Sequence, residues 1–254
     1  MRTRATEPMT NRAPFKLLLL VVVVCFALGL LSVFLRQAQQ SSGALTPTAT
    51  VVASNGQTTL LILGVNVFSG ADPKLNSIWL ATYRLPGKDV FLYGVPINQP
   101  VAVGGASGLQ ALFHWSAEQG VDPTFLSKLQ EIVPLPPQVV IVMDDAAFAA
   151  IVDYLGGVEL NGTSFSGNQV LGVLSLVGDD PQALLASQSH LLEALVQKLP
   201  ALGETPDVSS IQALVPEHIH LSIPVSQLLG SVAPLLPVEP ASIYVSLWSK
   251  PSQP

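Results

Sequence analysis

From Leu17 to Leu35 the chain reads LLLLVVVVCFALGLLSVFL, nineteen residues without a charge. Wound as a helix rising about 1.5 Å per residue, such a run covers roughly 28 Å, close to the hydrocarbon thickness of a bilayer. It is expected to be a single transmembrane anchor, and it divides everything else into two compartments. Arg2, Arg4, Arg12 and Lys16 precede it against one acid, Glu7, and only Arg36 follows closely. The positive flank belongs in the cytoplasm, so residues 1–16 are read as a cytoplasmic N-terminus and the C-terminal domain as extracytoplasmic, at the cell membrane. A cleaved signal peptide fits less well: the run exceeds the usual ~7–15 apolar residues, and QAQQSSGA is a poor A-x-A site. Cys25, in mid-span behind VVV, is an apolar filler. With no second cysteine the outer part has no disulfide framework and depends on its core.

Residues 36–57, rich in Ser, Thr, Gln and Ala without a helical stripe, read as a linker. The folded domain is expected over residues 58–248, followed by a tail at 249–254. Four aliphatic runs, at 58–65, 77–84, 89–95 and 138–144, read as strands, the first and last apolar enough to be buried on both faces. RLPGKD between the second and third predicts a hairpin. Helical patterns at 109–118, 123–132, 146–155, 181–199 and 225–232 interleave with these strands, which makes an α/β sandwich. Beyond residue 36 there are six basic and sixteen acidic residues, a net charge of −10. That balance argues against nucleic acid as a partner.

Individual motifs are weak. VGGASG (103–108) precedes a helical pattern but lacks the Lys-Ser/Thr of a P-loop and the spacing of a dinucleotide fingerprint, so a plain turn is the better reading. Ser107 is not in a G-x-S-x-G elbow. His218 and His220 alternate on a predicted strand, half of a metal site at most, and no third ligand is indicated. Asn161-Gly-Thr163 matches a glycosylation sequon of the kind that occurs often by chance. Asp144 and Asp145 stand where a helix would begin and read as caps. In Leu171–Leu199, Asp180 suits an N-cap and Pro181 the first helical position, ahead of a leucine stripe whose one polar member is Gln188. An inward glutamine needs partners, either a buried hydrogen bond or a cavity wall.

Several of these segments together resemble the LytR-CpsA-Psr (LCP) family, the cell-envelope-related transcriptional attenuator domain. VVIVMDDAAFAAIVDYLGGVEL, with its VD-x-LGGV, is similar to a strand–helix–strand of that family. TLLILGVN resembles its opening strand, KLNSIWLATYRLPGKDVFLYGVPIN its R-x-D-T strand and the hairpin leading to a PRD motif, and FSGNQVL its L-x-G-x-x-A-L. The resemblance implies a three-layer α/β/α sandwich with a mixed central sheet and a deep apolar groove. It further implies a polyprenyl-pyrophosphate glycan donor, transfer of the glycopolymer to peptidoglycan, and Mg²⁺, acids and arginines around the pyrophosphate.

At the family's site positions this sequence departs. Lys74 stands for the arginine and Asn76 for the aspartate of R-x-D-T, and Ile97 and Asn98 replace Arg and Asp after Pro96. Ser175 and Val177 occupy an R-x-R pair. Asp180 and Gln188 are kept, while Ala183, Ala186 and Ser187 stand for R, R and Q. Lys74 cannot replace a set of planar bidentate donors, and amides bind Mg²⁺ less well than carboxylates. The expectation is a membrane-anchored LCP-like protein without catalytic residues, with Lys74, Asn76, Asn98, Asp180 and Gln188 as candidate ligand-binding residues. No metal site and no cofactor are expected, Mg²⁺ entering only if activity is retained. The expected partners are a polyprenyl-linked glycan precursor or an active LCP homologue. The alternatives are an active glycopolymer phosphotransferase with an altered site, and a ligand-free interaction module whose groove is filled.

Overall fold

The computed structural model describes residues 56–68, 73–101, 108–160, 162–177, 180–198, 213–235 and 239–248. The run Leu17–Leu35, the tail 249–254, Ser107 and Asn161 lie outside them. No helix of the described residues is long and apolar enough to cross a membrane.

Among the described residues ten strands follow one another: β1 (Gln57–Val65), β2 (Leu75–Arg84), β3 (Val90–Gly94), β4 (Trp115–Ser116), β5 (Gly120–Val121), β6 (Val139–Asp144), β7 (Val158–Leu160), β8 (Thr163–Phe165), β9 (Ile219–Leu221) and β10 (Ile243–Leu247). Six of them form one sheet in the order β10-β3-β2-β1-β6-β9. It is mixed: β1 runs parallel to β6 and β3 to β10, and the other pairs are antiparallel. The hairpin expected at RLPGKD joins β2 to β3.

The helices are α1 (Pro123–Ile132), α2 (Asp145–Tyr154), α3 (Gly167–Leu176), α4 (Pro181–Lys198) and α5 (Val225–Val232). They flank both faces of the sheet, and the period-two alternation of the strands feeds two cores. Leu61, Leu63, Ile78 and Leu80 pack with α1 through Phe125 and Leu129. Leu60, Trp79, Leu92 and Ile141 pack with the remaining helices through Ile151, Val170, Leu195 and Leu228. β1 and β6 supply both cores, which is why they are aliphatic throughout.

Local chemistry sets the helix starts. Asp122 accepts from the Thr124 amide at 2.6 Å, and Pro123 fills the first position of α1. Ser166 and Gln169 make a capping box for α3. Tyr83, from β2, donates its hydroxyl to the Ser231 carbonyl of α5 at 2.7 Å, fixing that helix to the sheet.

The helix expected over 109–118 is absent. A single 3-10 turn at Leu109–Leu112 gives way to the small β4–β5 hairpin, which closes at Gly120 with φ of +72°. Phe113, His114 and Trp115 lack helix preference, and the left-handed glycine lets the chain reverse where a helix would have continued. Leu171–Leu176, which reads equally as strand or helix, is part of α3.

Candidate functional site

Between the sheet and the helices α2, α3 and α4 lies a cavity of about 720 Å³. The sheet side is formed by Leu60, Ile62 and Gly64 of β1, Ser77, Trp79 and Ala81 of β2, and Ile141 and Met143 of β6. Helix α3 contributes Leu171, Leu174 and Ser175, and α4 contributes Leu184, Gln188, Leu191 and Leu192. This size, with an apolar wall and a few polar groups, is typical of small-molecule sites. Gly64 makes room in the wall: a Cβ there would come within 2.3 Å of the Ser77 hydroxyl.

The polar groups in the wall are joined. The Asn76 side-chain amide donates to Asp145 Oδ1 at 3.3 Å, and the Gln188 amide donates to the Asn76 carbonyl at 3.2 Å. Three segments distant in sequence, β2, the first residue of α2 and the middle of α4, therefore meet at one place. Asp145 sits there because β6 passes into α2 without a loop. Asp144, only 3 % exposed, is the cap: its Oδ1 accepts from the Ala147 amide at 2.9 Å, and its Oδ2 lies 2.8 Å from His218 Nδ1. That leaves Asp145 at the cavity. Burial pushes its carboxyl up to about 6, the Asn76 bond opposes this, and the neighbouring Asp144 adds to it. Bonding to Asp144 raises the His218 imidazole above its usual range, against a smaller opposing effect of burial.

The five candidate residues separate into two groups. Asn76 and Gln188 line the cavity and are bonded to each other. The other three are not among the lining residues. Lys74 is exposed, and its backbone closes the loop after β1, the Lys74 amide donating to Asn66 Oδ1 at 2.8 Å. Asn98 is exposed, with its backbone packed against Gly108. Asp180 caps α4, accepting from the amides of Gln182 at 2.9 Å and Ala183 at 3.3 Å. Asp145, read from sequence as a cap, is the cavity residue that reading missed. The adjacent-acid pair was its only trace, since one member suffices to cap. His218 and His220 part company: His218 meets Asp144, while His220 packs edge-on to Phe68 at 4.5 Å and beside Trp115.

Among the described residues, no Lys, Arg or His lines the cavity. Nor do the described residues contain a group of three or more His, Cys, Asp or Glu able to hold a metal. Both oxygens of Asp144 are engaged, which leaves one carboxylate, three amides (Asn76, Gln110 and Gln188) and two serine hydroxyls, a poor match to the carboxylate-rich donors Mg²⁺ takes.

No protein-family model matches the sequence, and no curated protein matches it. Solved structures do. TagV of B. subtilis superposes with a TM-score of 0.57 at 12% identity, over 78% of this chain and 86% of that one. A LytR-Csp2A-Psr enzyme from Actinomyces oris gives 0.58 at 17% identity, over 76% and 80%. TagT, solved bound to LIIa-WTA, gives 0.58 at 15% identity, over 83% and 85%.

The described domain has the LCP fold. At these identities the likeness concerns the fold, and the positions derived from the LCP motifs can be located on it. Ile97 and Ser175, standing for two of the arginines, line the cavity. Ser175 uses its hydroxyl on the Gly172 carbonyl of its own helix, at 2.7 Å.

Proposed function

We propose that this protein is a membrane-anchored, LCP-like component of the cell envelope that receives the apolar chain of a lipid-linked envelope precursor without transferring its head group, alone or as the partner of an active homologue. The observation that carries the reading is the cavity of about 720 Å³ with its largely aliphatic wall. A filled groove would have favoured the interaction module. Leu17–Leu35 supplies the anchor and Arg2, Arg4, Arg12 and Lys16 its orientation, with the N-terminus in the cytoplasm. The bound state of TagT, with LIIa-WTA, supports a ligand in this fold.

Loss of transfer follows from charge. A diphosphate leaving group needs guanidinium donors or a divalent ion where charge develops. Here the polar side chains of the wall are neutral or acidic: Asn76, Ser77, Gln110, Ser175 and Gln188, with Asp144 and Asp145. A like charge about 4 Å from the Asp145 carboxylate would be repelled by about 4 kcal/mol at an effective dielectric constant of 20. The second reading is an altered-site phosphotransferase using Lys74, Asn76, Asn98, Asp180 and Gln188, favoured only by Asn76 and Gln188 lining the cavity.

The test is binding of polyprenyl phosphate and polyprenyl diphosphate to the full chain in nanodiscs, with and without Mg²⁺, alongside a transfer assay with peptidoglycan acceptor. Saturable, Mg²⁺-independent uptake without transfer is expected. Mg²⁺-dependent binding with turnover would establish the altered enzyme, and no uptake of either lipid would leave the interaction module.

A further inference from the structure

Hydrogen-bond bookkeeping at the polar place in the cavity wall indicates the head group it suits. The partners fix which way each amide points. Gln188 Nε2 faces a backbone carbonyl, the Asn76 oxygen, and Asn76 Nδ2 faces a carboxylate oxygen, Asp145 Oδ1. A carbonyl or a carboxylate oxygen accepts and does not donate, so nitrogen must stand at both positions. Three oxygens are then left without a donor among the described residues: Asp145 Oδ2, Asn76 Oδ1 and Gln188 Oε1. The amides keep one N–H each and Ser77 a hydroxyl, but among the described residues no Lys, Arg or His lines the cavity to supply a charged donor. Asp144, the other acid of the wall, cannot relieve this shortage, since a carboxylate has no hydrogen to donate and itself accepts from the Ala147 amide.

From this geometry we propose that the cavity takes a long-chain amphiphile with a primary-amine head, the ammonium donating to Asp145, Asn76 and Gln188 while the chain lies along the aliphatic wall. An ammonium presents three donors and no acceptor, the complement of three free oxygens with one negative charge among them. A phosphate presents acceptors only, and would face a carboxylate without a cation. The inference rests on the reading that an apolar chain occupies the cavity and departs from it over the head group.

The experiment titrates the full chain in nanodiscs with tetradecylamine, tetradecanol and tetradecyl phosphate, with empty nanodiscs correcting for partition into lipid. Tetradecylamine is expected to bind at least tenfold more tightly than the phosphate, and Asp145→Asn to lower its affinity about tenfold. Gln188→Leu is expected to lower it less, because it removes one neutral acceptor. Equal or tighter binding of the phosphate, with or without Mg²⁺, overturns the amine while leaving the chain-binding reading in place. Failure of all three probes to bind overturns both. Should Asp145→Asn melt well below the parent, the ranking of the three heads in the parent chain decides alone.

Discussion

Asp145 carries its carboxylate in a place that disfavours charge, and the sign of the consequence can be worked out. Its pKa rises from 3.8 to about 6 on folding, mainly through burial. Above pH 6 the folded state therefore bears the full penalty of an ionised group, and the penalty fades as pH falls from 6 toward 3.8. Asp145→Asn removes it, so the melting temperature of the variant relative to the parent should be higher at pH 8 than at pH 4.5. Thermal denaturation followed by circular dichroism at the two pH values reads this, and an equal difference at both would contradict it. His218 behaves in the opposite sense. Its pKa is raised by Asp144, so its contribution is complete below about 6.5 and disappears as pH climbs through the raised folded value. His218→Ala should cost about 1 kcal/mol at pH 5.5, in the range of partly exposed ion pairs, and close to nothing at pH 9. Neither role is legible in the sequence: DD before a helix is explained by one cap, and the partners Asn76 and His218 lie 69 and 74 residues away.

At the scale of elements, the close approach of α2 and α3 turns on Gly167. A Cβ there would come within 2.0 Å of the Ala149 carbonyl oxygen, which is backbone and cannot swing aside. Gly167→Ala should therefore destabilise by about 3 kcal/mol, the upper range for an overpacked contact, read as a lowered urea midpoint with an unchanged slope. In sequence the glycine stands out only as a member of FSGNQVL, and the reason for it is not visible there, because its constraint comes from the neighbouring helix. Elements with a continuous stripe and a cap were readable: Pro123–Ile132 and Val225–Val232 fall where the periodicity puts them, and β1 and β6 announce themselves by aliphatic content. The segment after Gly108 was not, since its aromatic residues fit a strand as well as a helix and Gly120 decides between them. In α4 the leucine stripe was visible, but not that it divides. Leu185 is buried away from the cavity, Leu191 and Leu195 are buried at its wall, and Leu184 and Leu192 stand in the wall beside Gln188 with more of their surface exposed.

For the molecule as a whole, open space beside the core is the feature on which the proposed function rests. A side chain that grows into that space should separate binding from stability. Leu174 is only partly buried and lines the cavity, so Leu174→Trp should leave the melting temperature within a few degrees and reduce uptake of any long-chain probe at least tenfold. A fall in both would mean that the helix and the sheet were packed too closely at that point to admit the larger side chain. The LCP fold was accessible from sequence because ordered segments survive around the site, whereas the meeting of Asn76, Asp145 and Gln188 at one place shows only in the structure.

One wall of the cavity has a history in time as well as a position. Ile243 belongs to β10, which pairs in parallel with β3 along the sheet edge although some 150 residues of chain lie between them. A chain emerging from its N-terminus lays down Ile62, Trp79 and Gln188 well before that residue arrives. The cavity therefore gains this part of its wall last, and until β10 has docked beside β3 it stays open along the sheet edge.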